Sequence, residues 1–175
     1  MLELEDTSVL YLLPKKGFSD HELNLSLRVL QNKGVEVTLA SLTKEALITD
    51  QNNHIIPDND MRELEAENYD ALVILGSGEI GEEYRKEVKR LAKDFNDQCK
   101  VVAGISLAVE LMNESGILEG KRVAAHPAIV SSLKEDCEIV DRKTAIDDRI
   151  VTGRAGEDAE IFGERIAEAI LGIPE

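Results

Sequence analysis

Apolar positions alternate along this chain between short continuous runs and stripes of helical period. Thr7 to Pro14 (TSVLYLLP) is a continuous apolar run of strand length that ends in a breaker, the pattern of a strand buried on both faces. Asp20 then stands where an N-cap belongs, and Leu23, Leu27 and Leu30 form a stripe that stops at Lys33-Gly34. Val35 to Ala40 (VEVTLA) reads as the next strand, so the opening segment has the order and size of a βαβ unit with its right-handed crossover. Ala46 to Asp50 and His54 to Pro57 flank Gln51-Asn52-Asn53 as a hairpin, and Asp60 to Asn68 is expected to form a short helix. Ala71 to Leu75 (ALVIL) is another buried strand, closed by Gly76-Ser77-Gly78. A strongly periodic helix follows, with Tyr84, Val88, Leu91, Ala92 and Phe95 on one face. Lys100 to Ile105 predicts a strand and Leu107 to Glu114 a helix. Further strands are expected at Arg122–Ala125, Glu138–Val140 and Arg149–Thr152, and a last helix carries Ala159, Phe162, Ile166, Ala169 and Ile170 on one face. Fully apolar strands alternating with amphipathic helices predict a three-layer α/β sandwich around a mainly parallel central sheet. With no internal repeat or linker, residues 1–175 are expected to form one domain.

Charge narrows the range of partners. Twenty Lys and Arg stand against 35 Asp and Glu, a net charge of −15, which disfavours nucleic acids and anionic membranes because both reward basic patches. No apolar run approaches the ~18 residues needed to span a bilayer. The start, Met1 to Asp6, lacks the basic and apolar stretches of a signal peptide, so a cytoplasmic location is expected. Two cysteines, Cys99 and Cys137, provide neither a disulfide framework nor a metal-site spacing, and no metal is expected. Gly76, Gly78 and Gly81 match the spacing of a dinucleotide loop. They follow an interior strand, however, with no acidic residue at a strand end about 20 residues on, so no cofactor is assigned.

Candidate chemistry centres on Gly104-x-Ser106-x-Ala108, at a junction from strand to helix. A nucleophile on such a bend needs small residues two positions before and after it, because those positions approach each other. The bend would lift the Ser106 hydroxyl to the carboxyl edge of the sheet, beside backbone N–H groups that favour developing negative charge. Spacing alone leaves open a second reading, in which Ser106 is a simple N-cap.

The stretch Lys100 to Pro127, KVVAGISLAVELMNESGILEGKRVAAHP, resembles the nucleophile region of the ThiJ/PfpI superfamily. The usual pattern there is K-P-V-A-A-I-C-H-G-P, then a helix, then G-L-L-x-G-K-x-V-T-x-H-P. Gly17 to Leu23 is similar to the family's G-F-E-D-x-E-L, Tyr69 to Gly76 to its Y-D-A-L-x-L-P-G-G, and Ile150 to Gly156 to its L-V-T-S-R-G-P-G. The resemblance covers nearly the whole chain in order. It implies a flavodoxin-like fold of the class I glutamine amidotransferase type, a homodimer or higher homo-oligomer, and deglycase, glyoxalase or protease activity through a cysteine.

That cysteine aligns with Ser106, the histidine after it with Leu107, and the following Gly-Pro with Ala108-Val109. Ser77 stands where the second glycine of the Gly76 turn would help form the oxyanion hole, while Glu22 and His126 remain. A thiol with a pKa near 8.5 can be driven to thiolate by a local field, whereas a serine hydroxyl needs a general base in contact. Glu22 in the family's protonated role cannot accept that proton, and an ordinary glutamate with a pKa near 4.3 would accept it inefficiently. His126 is the other base candidate, against a purely structural role at a strand end. His21 is expected to face solvent. Two functions follow: a divergent pocket formed by Glu22, Gly76, Ser77, Ser106, Leu107 and His126 that binds a small-molecule ligand or a partner, or a serine hydrolase using Ser106 with His126 or Glu22 on small esters or amides.

Overall fold

The order and parallel pairing of the strands place several loop ends at one sheet edge. The computed structural model describes residues 4–133 and 135–175. Met1 to Glu3, half of the segment read above for a leader, lie outside the described residues. The elements run β1 (Ser8–Leu12), β2 (Lys16–Phe18), α1 (Asp20–Asn32), β3 (Glu36–Ser41), β4 (Leu47–Thr49), β5 (His54–Ile55), β6 (Asn59–Asp60) and β7 (Ala71–Leu75). There follow α2 (Glu82–Asp97), β8 (Val101–Ile105), α3 (Ala108–Glu114), β9 (Arg122–Val123), α4 (Val130–Leu133), β10 (Glu138–Ile139), β11 (Thr144–Asp147), β12 (Ile150–Gly153) and α5 (Ala159–Ile170).

A seven-stranded sheet has the order β11-β12-β8-β7-β1-β3-β6 and is parallel except for the β11–β12 edge pair. Alternate residues of the central strands serve opposite faces. Val9, Tyr11, Val73 and Ala103 pack with Leu23 and Leu30 of α1 and Phe162 and Ile166 of α5, while Leu10, Leu12, Leu72 and Val102 pack with Tyr84, Leu91 and Phe95 of α2 and Met112 of α3. Both faces are covered, which is why these strands are apolar throughout. This is the expected flavodoxin-like, three-layer arrangement. No helix among the described residues is long and apolar enough to cross a membrane.

The connections after β1 leave in opposite directions, toward β3 on one side and β7 on the other, so a crevice opens at the carboxyl ends of β1, β7 and β8. The N-terminus of α1, the Gly76–Gly78 turn and the Ser106 bend all meet there.

Several elements differ from the sequence reading. The helix expected over Asp60–Asn68 is two separate 3₁₀ turns, Met61–Glu63 and Ala66–Asn68, with Leu64 and Glu65 extended between them. The inward residues Met61, Leu64 and Ala66 explain this, since the last two share a face only in extended chain. The N-cap of α1 is Ser19, one residue before the expected Asp20. Strand β11 was not anticipated because its apolar centre, Ala145-Ile146, is only two residues long, and the three-residue β2 was missed for the same lack of length.

Backbone proximity at the crevice leaves little room for added atoms. A Cβ on Gly76 would lie 2.5 Å from Ala108 Cα, which is backbone and cannot yield, whereas one on Gly104 would meet the Met112 sulfur at 2.5 Å. The Met112 thioether can swing aside. Gly76→Ala is therefore expected to cost at least about 2 kcal/mol and Gly104→Ala about 1 kcal/mol. Urea unfolding with unchanged m-values checks the order of the two.

Candidate functional site

Strand β8 delivers Ser106 to the crevice, and the chain turns sharply there. Ser106 has φ +57°, the left-handed region, and its N–H donates to Gly153 O at 2.9 Å. A non-glycine residue in that conformation stores about 1–2 kcal/mol of strain, held in place by the surrounding sheet. The cap position of α3 is Leu107, which has no side-chain cap, so Ser106 is not a simple N-cap. Leu107 is 39% exposed, an apolar residue at the mouth of the site. Among the described residues the backbone N–H groups of Leu107 and Ser77 donate to no backbone carbonyl. A cleft of about 280 Å³ bordered by Gly76, Gly78, Arg85, Leu107 and Glu110 opens beside them. A hollow of about 520 Å³ near the end of α5 contains none of the site residues.

Glu22 faces Ser106 from the first turn of α1 and is only 3% exposed. Burial raises its pKa to about 7; the charge of Asp50 adds to the rise, and the Ser106 hydroxyl pulls against it. The Ser106 contact is loose. It is near enough to bias the Glu22 proton, yet Glu22 Oε2 is buried with no hydrogen-bond partner among the described residues. Long contacts of this kind are common in unliganded sites and tighten when a ligand arrives.

The turn around Glu22 is pinned from three sides. Ser19 Oγ accepts from the Glu22 N–H at 3.1 Å, and the Ser19 N–H donates to Ser77 Oγ at 3.1 Å. Asp20 accepts from Thr49 Oγ1 at 3.0 Å and from the side-chain amides of Asn24 and Asn53, while its own N–H donates to Asp50 Oδ1 at 3.0 Å. The β4–β5 hairpin thus latches onto the helix that carries Glu22. Gly156, leading into α5, closes the remaining side, since a Cβ there would lie 3.2 Å from Glu22 Oε1.

Of the residues singled out from sequence, Glu22 and Ser106 come together, and Ser77 joins them through Ser19. Gly76 packs on Ala108, beside the bend. His126 is half-buried, and its Nδ1 accepts from the Ala128 N–H at 3.1 Å, capping the 3₁₀ turn Pro127–Ile129. No hydrogen bond joins His126 to Ser106 or Glu22 among the described residues. His21 and His54 are exposed, as is Cys99, and Cys137 is buried. Among the described residues no group of three or more His, Cys, Asp or Glu side chains could hold a metal ion.

Sequence reasoning missed Ser19, Asp50, Asn53 and Gly156. Ser19 was findable, because Ser19-Asp20-His21-Glu22 matches the S-x-x-E capping-box signature. The other three are loop residues brought in by the fold. The sequence left open whether Glu22 has an ordinary carboxyl pKa or is protonated, because burial in the crevice, which raises it, is a tertiary effect.

The raised pKa has a measurable cost. Between the ordinary carboxyl value of 4.5 and about 7, the folded protein keeps a proton that the unfolded chain has lost, so stability falls as pH rises through that window. Glu22→Gln removes this loss. The variant is expected to be more stable than the wild type by up to about 3 kcal/mol near pH 8, with the two converging near pH 4. Chemical denaturation at the two pH values measures it.

Comparison with known proteins shows the family of the chain. Residues 7–169 match the model of the DJ-1/PfpI family. An uncharacterised protein of Methanocaldococcus jannaschii is 29% identical over 173 residues, covering 95% of this chain and 84% of the relative. A deglycase of Pyrococcus abyssi is 28% identical, covering 84% of this chain and 90% of that enzyme. The crystal structure of a ThiJ/PfpI domain protein from Brachyspira murdochii superposes with a TM-score of 0.88 at 23% identity, over 97% of this chain and 99% of that one. The chain belongs to the DJ-1/PfpI family.

Proposed function

We propose that this chain keeps the family's pocket as a binding site for a small polar molecule and lacks the cysteine-dependent deglycase, glyoxalase or protease chemistry. Glu22 Oε2, buried and without a hydrogen-bond partner among the described residues, carries this reading. A polar atom held from water without a partner costs about 1–3 kcal/mol, and a ligand group that hydrogen-bonds to it recovers that loss. The N–H groups of Leu107 and Ser77, which among the described residues donate to no backbone carbonyl, add donors at the same edge of the sheet. A ligand carrying both an acceptor, such as a carbonyl oxygen, and a hydroxyl or amide donor matches this set. No thiol stands at the bend, and the alkoxide of Ser106 is out of reach of any local field.

A second reading, a serine-dependent hydrolase of small esters or amides, is favoured by the strained Ser106 and by a Glu22 whose pKa of about 7 suits a general base. Glu22 is the base in this reading, since the Ser106 hydroxyl acts on Glu22, whereas no hydrogen bond joins His126 to Ser106 among the described residues. Self-association as a homodimer and a cytoplasmic location belong to the same family-based proposal; light scattering on the purified chain measures the first.

Treatment with a fluorophosphonate probe, followed by intact-protein and peptide mass spectrometry, separates the two readings. No adduct is expected on the wild type under conditions that label a control hydrolase, and methylglyoxal consumption is expected to stay at background. An adduct confined to Ser106, absent from Ser106→Ala and rising with a midpoint near pH 7 that Glu22→Gln abolishes, would instead establish the hydrolase.

A further inference from the structure

Helix α1 opens with Ser19-Asp20-His21-Glu22, and this sequence ordinarily closes a reciprocal pair of hydrogen bonds. In such a capping box the N-cap hydroxyl accepts from the N–H three residues on, and the glutamate there reaches back to the N-cap N–H. Only the first half is made here, from the Glu22 N–H to Ser19 Oγ at 3.1 Å. The second half is pre-empted. The Ser19 N–H donates to Ser77 Oγ, also at 3.1 Å, from a turn 58 residues away in sequence. Deprived of its usual partner, the Glu22 carboxyl lies buried with Oε2 unpaired, beside Ser106 and Gly156.

We propose that Ser77 is a positioning residue, whose hydroxyl occupies the Ser19 N–H and thereby keeps the Glu22 carboxyl turned away from the helix cap and toward Ser106. The inference rests on the reading of Glu22 and Ser106 as the working pair of the pocket. It gives a physical role to a departure from the family pattern, since a glycine at position 77 would leave the Ser19 N–H to Glu22. It also explains why burial of Glu22 goes uncompensated: a backbone N–H bonded to the carboxylate would favour the charged form, and Ser77 withholds that donor.

Charged and titratable groups around this turn come from several elements. Asp20 and His21 lie on α1, Asp50 on the β4–β5 turn, Arg154 and Asp158 before α5, and Lys16 and Glu79 beside the Gly76–Gly78 turn. Arg154 and Asp158 face each other at 3.7 Å, and Asp50 contributes the charge that acts on Glu22. None of these groups accepts from the Ser19 N–H, so replacing Ser77 changes the competition for that donor and leaves them in place.

The test reads Glu22 directly, by NMR titration of ¹³C-labelled glutamate carboxyls in the wild type, Ser77→Ala, Ser77→Gly and Ser77→Thr. In the Ala and Gly variants the Glu22 midpoint is expected to fall by about one pH unit or more as the box closes. The Ser19 amide proton should then follow the Glu22 titration, which it does not do while bonded to Ser77. Ser77→Thr keeps a hydroxyl and should retain the wild-type midpoint. A midpoint unchanged in both the Ala and Gly variants, or a fall without the Ser19 amide following it, would overturn the proposal. So would a Thr variant that titrates like Ala. Neither signal depends on ligand binding or labelling at Ser106, so failure of the functional reading and failure of this inference are told apart.

Discussion

A carboxyl group held out of water at the carboxyl edge of a parallel sheet is the constraint on which this pocket depends. Glu22 could sit in solvent on a helix end at no cost. Instead the first turn of α1 is drawn into the crevice by Ser77 on one side and by Thr49, Asp50 and Asn53 on the other, and Gly156 closes over the carboxyl. Each contact is a modest hydrogen bond or a close backbone approach. Together they hold Glu22 where burial raises its pKa to about 7. The fold tolerates this because the two apolar layers on either side of the sheet supply the stability that the site spends.

The same pocket shows how far one atom changes the available chemistry. Sulfur at the Ser106 position would form a nucleophilic anion under the influence of nearby donors, and a protonated Glu22 would steady it. Oxygen at that position stays a hydroxyl unless a base removes its proton as it attacks. Ser106 holds a left-handed backbone conformation at the bend. Leu107, partly exposed, makes the mouth of the site apolar. In the function proposed above, these features favour recognition over covalent chemistry.

Much of the architecture was legible in the chain. The unbroken apolar runs Val9–Leu13 and Ala71–Leu75 and the stripe from Tyr84 to Phe95 can only be buried in a sheet covered on both faces, and the structure buries them so. Gly104-x-Ser106-x-Ala108 marked the bend because the small residues flanking Ser106 are a steric requirement of the bend itself. Segments without such a requirement were misread: Asp60–Asn68, whose inward residues mix two periods, and β11, whose apolar core is only two residues long.

The sequence by itself determined the layering and the parallel core and offered Ser106 as a candidate for the bend, because hydrophobic period and local steric demand are properties of neighbouring residues. Only the tertiary structure decided the state of Glu22. Its desolvation, the Asp50 charge and the theft of the Ser19 N–H by Ser77 come from segments some 30 and 55 residues away along the chain, and no local pattern encodes which of them will meet it. His126 was decided in the same way. Its ring could have served Ser106 or its own turn, and the backbone at Ala128 is what it meets in space.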